Sequence, residues 1–194
     1  LAFMAKKNPD CSYIGIELPP ESIARGSKLM QNQSIENVRL IHGDARYLLR
    51  ELFGPQSLDH VLMQFPMPWP KDRHAKHRIS SPMLTATVAD VLKPGATFEL
   101  VSDQQWYAED CHRFFCENTA FTVAPFETAP HRPFLTRYEK KWQADNRETF
   151  RVVATLNTHQ SAPRFFLNSA MDFLTITSTP TSEYLSSLVN KRFA

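Results

Sequence analysis

The chain has 194 residues and a formal charge of +2, which suits one domain with a sizeable core and is short for two full ones. No apolar run approaches the roughly 18 residues of a helical membrane span, and the charge excess is too small to argue for a nucleic-acid partner by itself. Three cysteines, Cys11, Cys111 and Cys116, form an odd set without metal-ligand spacing, expected to be small buried thiols in a reducing cytoplasm.

Residues 1–7 read as the end of a helix, stopped at Asn8-Pro9 because proline disfavours helical geometry in the residue before it. The chain is therefore expected to begin inside an element, with further sequence upstream. Tyr13-Ile-Gly-Ile-Glu17 is a short apolar run closed by a carboxylate, as in a buried parallel strand. Pro19-Pro20-Glu21-Ser22 opens a helix, where a proline in the first turn loses no hydrogen bond. A second strand and turn follow at residues 38–44, then a helix over 45–53 that ends near Gly54-Pro55.

Residues 58–65 predict a third strand, which runs into Pro66-Met-Pro-Trp-Pro70. A helix is expected over 83–92, a strand over 96–102 and a helix over 105–118. Two late β-rich segments, 121–126 and 148–156, are expected to pair antiparallel. Strands alternating with helices at this spacing predict an α/β domain with a mostly parallel sheet. Beyond residue 157 the texture becomes Ser-, Thr- and Pro-rich, so 158–194 reads as an extension with no chemistry of its own, closing on a short amphipathic helix near 185–193.

In such sheets ligands gather beyond the carboxyl ends of the strands, where Glu17, Asp44, the 66–70 run and Asp103 all fall. A carboxylate after a buried strand suits the ribose hydroxyls of a nucleoside cofactor, or is a solvated turn residue. Asp44, before the small Ala45, reads as an acceptor for an adenine amino group, as a helix N-cap, or as both. The three prolines of 66–70 make a stiff path with few backbone donors. Lys71, Arg73, Lys76 and Arg78 then follow with His74 and His77 against the single acid Asp72, a patch able to engage several phosphates. Trp106 and Tyr107 read as packing residues before base-stacking platforms. Thr136-Arg-Tyr-Glu139 is, alone, a common polar cluster.

In order and spacing these segments resemble the bacterial tRNA (guanine-N(7)-)-methyltransferase family. The resemblance covers about residues 1–156, and its most specific part is Phe65-Pro-Met-Pro-Trp-Pro-Lys-Asp-Arg-His-Ala-Lys-His-Arg-Ile79. It implies the S-adenosylmethionine-dependent methyltransferase (Rossmann-like) variant of a doubly wound, mostly parallel sheet over residues 1–157, with tRNA as partner and no metal. Glu17, Asp44 and Ala45 would hold the cofactor. Lys71, Asp103, Thr136, Arg137, Tyr138 and Glu139 would contact guanine or tRNA, and Arg73, Lys76 and Arg78 the RNA backbone.

Two departures stand out. The family's first strand and glycine-rich loop would precede Leu1 and are absent from this chain. Met67 occupies the position of the family's aspartate, usually assigned the catalytic role, and a thioether accepts hydrogen bonds only weakly. Nitrogen 7 of guanine already presents a lone pair, so the expectation is slowed methyl transfer. The alternative is a non-catalytic RNA-binding relative.

Overall fold

The computed structural model describes residues 1–132, 134–136, 138–140 and 147–162. Arg137 and the helix expected near 185–193 lie outside the described residues. The elements run α1 (Ala2–Lys7), β1 (Tyr13–Glu17), α2 (Pro20–Asn32), β2 (Val38–His42), α3 (Ala45–Leu52) and β3 (Leu58–Gln64). A 3₁₀ helix (Asp72–His77) comes next, then α4 (Pro82–Val91), β4 (Leu92–Ser102), α5 (Gln105–Glu117), β5 (Phe121–Val123), β6 (Glu127–Thr128) and β7 (Phe150–Leu156).

The parallel β–α–β alternation is as expected, but among the described residues the strands form two sheets. In the first, β1 and β2 run parallel from Tyr13↔Val38 to Glu17↔His42, joined by α2. In the second the order is β3-β4-β7-β5, with β6 also on β7. β3 and β4 are parallel, Gln64 lying opposite Val101. β7 is antiparallel to β4, Leu100 opposite Val152, and to β5, Phe121 opposite Leu156. The two late segments do pair antiparallel, with β7 inserted between β4 and β5.

That insertion follows from burial. In β7, Phe150, Val152, Ala154 and Leu156 are buried and the residues between them only partly so, the period of two that lays one strand face on a core. α5 supplies the facing surface through Tyr107, Ala108, Cys111 and Phe115, spaced along one helical stripe. Phe98 and Phe115 stack with centroids 4.4 Å apart, and Phe121 meets Phe115 edge-on. α4 is buried along most of its length from Leu84 to Val91, including the polar Thr85, Thr87 and Asp90.

β4 starts at Leu92, four residues ahead of the expected boundary. Pro94 and Gly95 suggest a turn in the sequence, and Gly95 does take a positive φ of 83°. Lys93 meets Asp59 at 2.7 Å beside the register shift between Leu58 and His60, so the strand bulges there and continues. The cysteines are all free, but only Cys111 is buried, its thiol pushed up to about 12 by desolvation; Cys11 and Cys116 are exposed. Chain position alone does not place a small side chain relative to the core.

Candidate active site

The parallel ladder brings Glu17 and His42 side by side at the carboxyl ends of β1 and β2. The Gly43 N–H donates to the Glu17 carbonyl at 3.0 Å, and the His42 ring contacts the Leu18 carbonyl at 2.8 Å, so both turns are tied together. Gly43 has φ 154°, and a Cβ there would sit 2.5 Å from a methyl of Leu48. The Leu48 methyl could move aside, but the φ itself favours glycine.

Asp44 then caps α3, its Oδ1 accepting from the Arg46 N–H at 2.9 Å. The N-cap reading holds. The Arg46 guanidinium also grips the carboxylate, with Nε at 3.1 and 3.0 Å from the two oxygens and Nη2 at 2.6 Å. Partial burial raises the Asp44 carboxyl, but the hydrogen bonds from Arg46 outweigh it. The net displacement is downward, with help from the charge of His77. Arg46 Nη1 donates onward to the Lys76 carbonyl at 3.2 Å. Sequence reasoning missed this arginine, although Asp-x-Arg at a helix start is a legible signal. Glu17 is solvent-exposed, yet desolvation by neighbouring atoms raises its carboxyl against the pull of Arg25.

On the second sheet, the Phe65 N–H donates to the Val101 carbonyl at 2.8 Å, which carries the β3–β4 pairing one residue past the strand. Phe65 and Trp69 both adopt positive φ, 50° and 48°. Non-glycine residues in that region cost on the order of 1–3 kcal/mol each and persist only where their surroundings hold them. The 66–68 run is thus pinned between two strained residues, with Met67 65 % exposed at its apex. The Trp69 ring lies 5.5 Å from that of His74 and 5.2 Å from that of His77, folding the run back on the 3₁₀ helix. Lys71, Arg73 and Lys76 are exposed. Arg78 turns inward, donating to the Trp69 carbonyl at 3.0 Å and the Pro70 carbonyl at 3.4 Å.

At the end of β4, buried Ser102 accepts from the Gln104 N–H at 3.1 Å, and Asp103 accepts from the Gln104 side chain at 2.9 Å. Asp103, Gln104, Gln105, Arg147, Glu148 and Phe150 line an open cavity of about 560 Å³. Arg147 and Glu148 were not singled out from the sequence: they reach Asp103 only because β7 lies against β4. Trp106 and Tyr107 pack as expected; Tyr107 is fully buried and its hydroxyl accepts from the Ser80 N–H at 3.1 Å.

Thr136 and Glu139 form a reciprocal cap: a Glu139 oxygen accepts from the Thr136 N–H at 2.6 Å, and the Thr136 hydroxyl from the Glu139 N–H at 3.2 Å. Buried Arg132, which sequence reasoning also missed, pairs with Glu139. Glu139 is 2 % exposed, whereas Tyr138 is 63 % exposed. Glu139 therefore supports the turn that presents Thr136 and Tyr138. None of the three lines the Asp103 cavity.

Among solved structures, this fold is that of methyltransferases. An antibiotic-related methyltransferase matches with TM-score 0.55 at 19% identity, covering 79% of this chain and 80% of its own. The antibiotic-resistance methyltransferase Kmr matches with TM-score 0.53 at 14% identity, covering 79% of each chain. The chain belongs to the family described as "Putative methyltransferase", whose profile matches residues 1–152. Curated relatives called tRNA (guanine-N(7)-)-methyltransferase include one from Thermotoga maritima, 38% identical over 79% of this chain and 49% of its own length. Another, from Treponema pallidum, is 35% identical over 75% of this chain and 58% of its own. The chain thus spans about half the length of the curated relatives it matches. No helix among the described residues is long and apolar enough to cross a membrane.

Proposed function

We propose that this chain carries the transfer of a methyl group from S-adenosylmethionine to nitrogen 7 of a guanine in the variable loop of tRNA. The observation that supports it most is the arrangement at the second sheet: an exposed basic 3₁₀ helix, a strained proline loop and the Asp103 cavity meet at adjacent strand ends. The names of the curated relatives supply the substrate.

The residues at the ends of β1 and β2 fit a nucleoside. Glu17 is an exposed carboxylate able to accept from both ribose hydroxyls. Asp44 and the small Ala45 suit an adenine edge, although an amino group there shares the Asp44 carboxylate with Arg46. The cofactor supplies an electrophilic methyl group on a sulfonium. Nitrogen 7 would attack with its own lone pair as the methyl–sulfur bond breaks, the neutral thioether leaving and the positive charge passing to the guanine, so this chain need remove no proton and mainly aligns the partners.

Asp103 and Glu148 offer carboxylates for the N1–H and amino donors of guanine, an orientation that leaves the nitrogen 7 edge free. Thr136 and Tyr138, outside that cavity, would contact the tRNA, as would Arg137, and Lys71, Arg73 and Lys76 would hold phosphates. Incubation of the full-length protein with tRNA and methyl-labelled S-adenosylmethionine tests the reading. Label should appear as 7-methylguanine in the variable loop and follow a saturable cofactor dependence. tRNA binding without any saturable cofactor binding would leave only the non-catalytic relative standing.

A further inference from the structure

We propose that Arg78 is a positioning residue, not a contact of the RNA backbone: its guanidinium fastens the Pro-Met-Pro-Trp loop to the helix that follows Asp103. The inference rests on the methyl-transfer reading and departs from the role that the basic run suggests for this residue. In sequence Arg78 is the last of four cations from Lys71 onward. In space it faces the other way, its side chain 18 % exposed while Arg73 and Lys76 lie in solvent.

The loop explains why an arginine is needed. Pro66, Pro68 and Pro70 have no N–H, so a backbone ladder cannot hold this stretch. What it does offer is carbonyl oxygens. Arg78 takes two of them, Nε donating to Trp69 and Nη2 to Pro70, and the first belongs to a residue in the left-handed region.

The guanidinium then lies over the Trp106 ring, its central carbon 4.9 Å from the centroid. Trp106 is three residues beyond Asp103, at the start of α5. The Tyr107 hydroxyl, accepting from the Ser80 N–H at 3.1 Å, ties the same segment to α5 a second time. The loop is thereby tied to α5 through the guanidinium, and the segment behind it through the phenol. Lysine cannot reproduce this, because an ammonium lacks both the Nε donor and a flat face to stack.

A phosphate contact and a positioning role differ in what they change. Losing a phosphate contact lowers the slope of log affinity against log salt by about 1. Losing alignment lowers the rate at saturation, by about 10- to 100-fold where reacting atoms shift by an ångström, and leaves that slope alone.

The test compares Arg78→Ala, Arg78→Lys and Trp106→Leu in the full chain, with Lys76→Ala as the reference for a phosphate contact. All three should cut the saturated methylation rate by about tenfold or more with the parental salt slope, while Lys76→Ala lowers the slope. Thermal melts followed by circular dichroism check folding. If Arg78→Ala does not fold, Trp106→Leu, which keeps the charge, decides in its place. A lowered slope for Arg78→Ala, with slope and rate both restored by Arg78→Lys, would overturn the proposal.

Acrylamide quenching in a Trp142→Phe background separates this proposal from the function itself. Arg78→Ala and Arg78→Lys should both leave Trp69 and Trp106 more accessible to quencher. Should the parent protein transfer no methyl group, the functional reading falls, and unchanged quenching in these variants would overturn the role of Arg78 independently.

Discussion

The two groups of strand ends are built differently. Glu17 and Asp44 stand on β1 and β2, where the helix between them, α2, has no buried residue and Val38 alone of the two strands is buried. Asp103 and the 65–78 segment stand on β3 and β4, backed by α4, α5 and β7 and a core from Leu49 to Leu156. Packing determines how sharply a side chain is held. The proposed acceptor side is therefore set by the core, whereas the proposed nucleoside side depends on local ties: the Gly43–Glu17 hydrogen bond, the His42–Leu18 contact and the Arg46 clamp.

The largest expected contrast is in stability. Phe98→Ala, from a fully buried ring, should cost about 3–5 kcal/mol, and Ile16→Ala, half-buried on β1, about 1 kcal/mol. Urea midpoints measure both, and equal losses would dissolve the distinction. Glu139→Ala should come next, at about 3 kcal/mol, because it strands the buried guanidinium of Arg132. Rescue by Arg132→Met in the same chain would show that the stranded charge was responsible.

Met67→Asp should raise the saturated methylation rate roughly tenfold, since it restores an acceptor for N–H groups that would otherwise go unpaired. Met67 is exposed, so the new carboxylate incurs little desolvation. An unchanged rate would remove the aspartate position from the account of turnover.

The smallest effects concern the nucleoside side and carry opposite signs. The Asp44 carboxyl is lowered in the fold. Its stabilisation is therefore present at neutral pH and lost as pH falls from its ordinary value of 3.8 through the depressed one. Asp44→Asn should lower the melting temperature at neutral pH and converge with the parent in acid. Glu17 is raised, so its charged form costs stability above the folded value, a cost that disappears below its ordinary 4.5. Glu17→Gln should melt slightly higher than the parent at neutral pH, lose that advantage in acid, and bind S-adenosylmethionine more weakly.

Much of the site was legible in linear order. Glu17, Asp44 and Asp103 fall at strand ends because the strands are short apolar runs with abrupt polar ends, and the N-cap at Asp44 follows from residue type. Arg132, Arg147 and Glu148 were not legible as site residues: the last two stand just before β7, and only its antiparallel pairing with β4 brings its start to the carboxyl end of β4. Arg78 was legible as a cation but not in its direction, because its partners are the Trp69 and Pro70 carbonyls and the Trp106 ring, and the last of these is brought near by the packing of α5.

By itself, the sequence determined most of the strands and α-helices among the described residues, the family, and the residue types at each strand end. Those depend on local periodicity and on chemistry carried in consecutive residues. Only the tertiary structure decided that β7 enters between β4 and β5, that Glu139 is buried as a cap and ion-pair partner, and that one arginine of a basic run holds a loop while its neighbours face water. Such outcomes depend on which surfaces exclude water together, and a linear pattern does not contain that information.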